Sequence, residues 1–97
     1  MRIISEKPLR DFWAKRSEAE NPLKKWLNIT YAADWNSFAE LRKSFRHADI
    51  YGYCTIFDIG GNKYRLIAHI DYRIKIVFVR SVLTHAEYDE DKWKADC

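Results

Sequence analysis

Arg65, His85 and Tyr88 are the side chains in the second half of this sequence best suited to hold a phosphate or move a proton. Arg65 lies in a strand-like run in which Tyr64, Leu66, Ala68 and Ile70 share one face while Arg65, Ile67 and His69 share the other. If the first set packs beneath helices, the guanidinium is presented on the open side of a sheet, just past the Gly60-Gly61-Asn62 turn. A planar cation there suits a phosphate, and it equally suits a neighbouring carboxylate such as Asp58. His85 follows Thr84 in the capping-box pattern Thr84-His85-Ala86-Glu87, so it opens a helix whose unpaired N–H groups and dipole attract anions. That dipole keeps an imidazole neutral, whereas Glu87 and Asp89 favour its protonated form, and the sequence leaves both states open. Tyr88, three residues on, shares the face of His85 and can pack its ring on a sheet with its hydroxyl free. Asn62, Lys63, Lys75 and Arg80 supply polar and positive groups around these three.

The elements that must position these residues follow from the periodicity. Residues 1–4 read as a short strand, and Pro8 opens a helix with Leu9, Phe12, Trp13 and Arg16 at helical spacing. Asn21-Pro22 reads as a cap and first helical position, followed by Leu23, Trp26, Leu27 and Tyr31 on one face. Ser37-Phe38-Ala39-Glu40 opens a short third helix with Leu41 and Phe45 on its apolar stripe. Residues 53–59, 64–71 and 74–81 are rich in β-branched and aromatic types and read as sequential antiparallel strands. Gly and Asn in the 60–62 turn tolerate the positive φ that tight hairpins require. The last helix carries Tyr88 and Trp93.

With 97 residues, 47% of them hydrophobic, and 3 Gly and 2 Pro, the chain reads as a single α+β domain over 1–97 without linker or repeat. A formal charge of +3 permits a polyanionic partner without demanding one. Cys54 and Cys97 suggest neither a disulfide framework nor a metal site, and a reducing, cytoplasmic setting fits them. No apolar run approaches the roughly 18 residues of a membrane span. There is no phosphate-binding glycine loop, metal-ligand cluster or Ser-His-Asp arrangement, so no cofactor and no metal are expected. His47 and His69 read as structural.

Two segments resemble the HigB-type toxins of bacterial toxin-antitoxin pairs: Phe57-Asp58-Ile59-Gly60-Gly61-Asn62-Lys63-Tyr64-Arg65-Leu66 and Val79-Arg80-Ser81-Val82-Leu83-Thr84-His85-Ala86-Glu87-Tyr88-Asp89. The stretch from Ile4-Ser5 to Trp13 and the triplet Ala33-Asp34-Trp35 are similar to that family too. The resemblance implies a RelE-like α+β fold, an antiparallel sheet of three to four strands with N-terminal helices on one face and a short C-terminal helix. It implies a metal-independent endoribonuclease, an mRNA interferase that cuts messenger RNA on the translating ribosome. A HigA-type antitoxin with a helix-turn-helix domain would restrain it. By position, Arg65 matches the arginine that contacts the scissile phosphate, and His85 and Tyr88 match the groups that assist proton transfer. Asn62 and Lys63 would flank the RNA backbone. The site has fewer basic residues than RelE itself. The rival readings are a non-catalytic module that binds RNA or ribosome and blocks translation without cutting, and a purely structural interaction domain.

Overall fold

The computed structural model describes all of residues 1–97. Strand β1 (Arg2–Ile4) leads into helix α1 (Lys7–Lys15), a 3-10 turn (Ser17–Ala19), α2 (Glu20–Ala32) and α3 (Phe38–Ser44). Strands β2 (Asp49–Tyr51), β3 (Cys54–Ile59), β4 (Tyr64–Asp71) and β5 (Ile76–Thr84) follow, then α4 (His85–Asp89) and a 3-10 turn (Lys92–Asp96). The strands form one five-stranded sheet in the order β1-β5-β4-β3-β2. All neighbours are antiparallel except β1, which runs parallel to β5 with Ile3 opposite Val77.

The α+β class and the helix cover are as expected, with five strands where three to four were read. Strand β2 escaped the sequence reading because its three residues, Asp49, Ile50 and Tyr51, are too few for a periodic signal. The last strand runs on to Thr84, so its end and the cap of α4 are the same residue. Helix α2 begins at Glu20, not at an Asn21 cap, because the 3-10 turn feeds directly into it. Pro22 still falls in the first turn, where its missing N–H costs nothing. Ser37 caps α3 by accepting from Glu40 N at 3.3 Å, while the Glu40 carboxylate accepts from Asn36 N at 3.1 Å, one residue earlier than a capping box would have it.

The inner face of the sheet carries the main core. Tyr64, Leu66, Ala68 and Ile70 join Leu9, Phe12, Leu23, Trp26 and Leu41 there, as the alternation in β4 required. Phe57 is its centre, with Trp26 and Phe45 edge-on at centroid distances of 5.4 and 5.1 Å. The outer face is not open. Cys54, Ile56 and Ile67 are covered by Trp93 from the C-terminal segment, with Leu83 and Tyr88 at the margin.

That segment is tied down covalently. Cys54 and Cys97 form a disulfide with their Cα atoms 5.3 Å apart, which corrects the expectation of unpaired cysteines. Spacing in the sequence could not reveal it, because the chain must fold back across the outer face before the two meet. The Cys97 carbonyl also accepts from Tyr53 N at 2.9 Å. Gly52, at φ +56, makes room for it, since a β-carbon there would collide with that carbonyl.

The disulfide spans 43 residues of chain. Loop-closure entropy puts its contribution at up to about 4 kcal/mol. Urea unfolding with and without reductant, or of Cys97→Ser, should show the midpoint fall accordingly. An unchanged midpoint would mean that the packing of Trp93 alone holds the segment.

Candidate active site

The turn Gly60–Lys63 sets the position of Arg65. Gly60 and Gly61 both take positive φ, +62 and +72, which reverses the chain within four residues and pairs Ile59 with Tyr64. Asn62 then does more than turn. Its backbone carbonyl accepts from Arg65 Nη1 at 3.2 Å and its side-chain oxygen accepts from Arg65 Nη2. The Tyr64 carbonyl also accepts from Nη1 at 3.2 Å, and Asp58 Oδ1 lies 3.1 Å from Nε. Arg65 is therefore only 8% exposed. It sits on the outer face as expected, but wrapped by its own hairpin, because the unsatisfied donors of a buried guanidinium must be matched locally.

The register of β4 on β5 brings the second element. Arg65 is opposite Leu83 and Tyr64 is opposite Thr84, so α4 starts beside the arginine. The Thr84 capping box is complete: Glu87 N donates to Thr84 Oγ1 at 3.2 Å and Thr84 N donates to Glu87 Oε1 at 2.9 Å. The helix runs only to Asp89, and a left-handed Asp91 separates it from the 3-10 turn that carries Trp93. The Tyr88 ring stacks on Trp93 at 5.1 Å, and the Arg65 guanidinium carbon lies 5.0 Å from the Tyr88 centroid. Arg65 and Tyr88 are thus brought together. His85, on the first turn of the same helix, is exposed, with Nε2 3.6 Å from Asp89 Oδ2.

The remaining expected residues divide. Asn62 belongs to the clamp on Arg65, and Lys63 is exposed beside it without a carboxylate partner. Arg80 occupies a β-bulge, the extra residue between the pairs Ile67 with Ser81 and Ala68 with Val79. It lines a cleft of about 350 Å³ with Lys15, Arg16, Ser81 and Glu87. Lys75 is elsewhere: its ammonium donates to the Trp35 carbonyl at 2.9 Å and to Asn36 Oδ1 at 2.6 Å, and pairs with Asp34 at 3.2 Å. It lies past the far end of β4, which at Asp71 is itself six residues and about 20 Å from Arg65, so it fastens the α2–α3 connection and is no part of this site. Lys15 and Arg16 were not assigned to the site because a Lys-Arg pair at a helix end looks like ordinary favourable charge at a C-terminus.

The sequence comparisons bear on this geometry. A sequence model of the HigB toxin family, described as the RelE-like toxic component of a toxin-antitoxin system, matches residues 19–91. The mRNA interferase HigB of Escherichia coli O6:H1 (strain CFT073) is 31% identical over 93 residues, covering 93% of this chain and 90% of that one. The mRNA interferase toxin HigB of Escherichia coli K12 is 27% identical over 92 residues, with 92% and 88% covered. The chain belongs to the HigB toxin family. A toxic component of this kind implies an antitoxin that restrains it. The matched region contains β4, β5 and α4, so the Arg65–Tyr88 pair and the capping box lie inside the part that defines HigB membership.

The capping carboxyl of Glu87 predicts an acid dependence for the start of α4. The Thr84 backbone N–H holds the Glu87 carboxyl below its ordinary value, helped less by the Thr84 hydroxyl and the Arg16 charge and opposed by slight burial. A carboxylate lowered by folding stabilises the folded form above its unfolded pKa of about 4.3 and loses that effect as pH falls through the lowered value. Trp93 fluorescence should therefore be flat above about pH 5 and change in acid as α4 loosens. Glu87→Gln should shrink that acid transition. An identical transition in the variant would place its origin in other carboxylates.

Proposed function

We propose that this HigB-family chain cleaves messenger RNA on the translating ribosome, in the cytoplasm, and is restrained by a HigA-type antitoxin carrying a helix-turn-helix domain. The carrying observation is the convergence of Arg65 and Tyr88 beside the capped start of α4, in a chain whose relatives bear the name mRNA interferase. The reaction is transesterification. The ribose 2′-oxygen gives up its proton and attacks the adjacent phosphorus, and the 5′-oxygen leaves with a proton, giving a 2′,3′-cyclic phosphate and a 5′-hydroxyl.

His85 is exposed and backed by Asp89, which fits it to carry a proton between the two oxygens. Tyr88, held by Trp93 and Arg65, orients or protonates the leaving oxygen. Arg65 stabilises the charge that develops on the phosphorane. Its polar edge is occupied by Asn62 in the free protein, so a phosphate oxygen takes the place of Asn62 Oδ1 on Nη2. Base, acid and cation all come from the chain, and the reaction is read as metal-independent.

End-mapping of RNA after expression of the chain alone, with and without active translation, tests the reading. Discrete breaks should appear only when ribosomes are working, and a purified translating system should give the same breaks in EDTA-treated and untreated enzyme. His85→Ala should lower cleavage by about 10²- to 10⁴-fold while the protein remains folded. Asn62→Asp should lock Arg65 with a second carboxylate and reduce cleavage at least about tenfold, part of the roughly 10²- to 10³-fold lost when such a donor is removed outright, whereas Asn62→Ala should leave it active. Equal activity of the two Asn62 variants would remove Arg65 from the phosphate. One observation favours the rival blocking module, namely the offset of the Arg65 charge by Asp58. Arrested synthesis on intact messages would decide for that reading.

A further inference from the structure

A basic groove runs from the end of α3 to the back of the Arg65 clamp. The sequence Arg42-Lys43-Ser44-Phe45-Arg46-His47 contains no acidic residue, and Arg42, Lys43, Arg46 and His47 are all exposed. None of the four is within 4.0 Å of a carboxylate, whereas Lys7, Arg10 and Lys24 each pair with an acid one helical turn away. Arg42 is aimed instead at the Arg46 carbonyl, 3.0 Å away, which brings the two guanidinium-bearing residues onto one rim.

Three depressions share walls along this line. The first lies between Arg42, Lys43, Arg46 and His47. The second, of about 280 Å³, shares Arg46 and His47 with it and reaches Asp58 and Gly61. The third, of about 310 Å³, shares Ser44, Phe45, Asp58 and Gly61 with the second and ends on Lys25 and Trp26. The Trp26 indole N–H is buried without a hydrogen-bond partner. At Gly61 the floor is low, since a β-carbon there would meet nothing within 4 Å. Asp58 is the junction: it bounds two of these depressions, and its carboxylate is paired with Arg65.

We propose that this groove holds the backbone of the single-stranded messenger on one side of the scissile phosphate. Unpaired cations along depressions that reach Asp58, the partner of Arg65, match a chain of phosphates better than they match a single anion, and Phe45 offers an apolar wall to a base. The proposal rests on RNA being the substrate of the Arg65–Tyr88 site. It adds a track that Lys63 and Arg80 do not supply.

The test is fluorescence anisotropy with a ten-nucleotide 2′-O-methyl RNA, which binds but cannot be cut, across a series of KCl concentrations. The triple variant Arg42→Ala, Lys43→Ala, Arg46→Ala should bind at least about tenfold more weakly at low salt. Its log-affinity against log-salt slope should be shallower by about two, from roughly 0.7 per lost phosphate contact on a single strand. Lys7→Ala, Lys24→Ala, Lys92→Ala removes the same charge from paired positions and should change neither quantity. Arg42→Lys with Arg46→Lys should keep most of the slope. Equal weakening in both triple variants, or in neither, overturns the groove. So does a groove variant that binds RNA normally but escapes its antitoxin, which would make the groove a protein-docking surface. If wild type binds RNA through the groove yet cuts no message, the groove stands and the nuclease reading falls.

Discussion

Both faces of the central strand must be covered, and the way the chain meets that requirement decides where its chemistry lies. From Tyr64 to Ala68 every residue of β4 is buried. The inner residues are covered by three helices, which leaves Ile56 and Ile67 on the outer face in need of their own apolar cover. The C-terminal segment provides it with Trp93. To reach that place the chain must turn sharply at the end of β5, and the turn is the Thr84 capping box that displays His85 and Tyr88. Placement of His85 and Tyr88 is thus a by-product of closing a small core, where each large side chain buried contributes on the order of 1.5–3 kcal/mol.

Electrostatics divide the surface into two kinds of positive charge. Arg65 is buried, ion-paired and hydrogen-bonded, so its field is largely cancelled. Burial makes such a group expensive to leave unmatched, which is why Asn62 and Asp58 accompany it. Lys15, Arg16 and Arg80 on one side, and Arg42, Lys43 and Arg46 on the other, are the charges that act at a distance. Modest net charge conceals this. Of the 17 lysines and arginines, eight pair with a carboxylate, and six of the other nine fall in these two groups.

The legible parts of the sequence were those set by local rules. Alternation in β4 assigned each residue to its face, paired glycines located the hairpin, and Thr84 with Glu87 marked the last helix start. What escaped depended on contacts far apart in the chain. Lys75 looked like one more cation near the site until its strand carried it to the other end of the sheet and the α2–α3 connection claimed its ammonium. Cys54 and Cys97 meet only after the tail has crossed the outer face. Arg65 could be assigned to a face by period alone, but its wrapping by Asn62 depends on the path of a four-residue turn. The α3 cations were hidden differently: their run was visible, while the groove that gives it a direction exists only once α2, α3 and the β3–β4 hairpin are assembled.

The parallel pairing of β1 with β5 has a consequence in time. Strand β1 has no sheet partner other than β5, so Arg2, Ile3 and Ile4 must wait for Ile76, Val77 and Phe78 far along the chain. Loop closure over such a separation is slow compared with local hairpin formation. The sheet edge therefore closes after the arginine clamp and the capped helix start, whose partners lie within Asp58–Arg65 and Thr84–Glu87 and form locally.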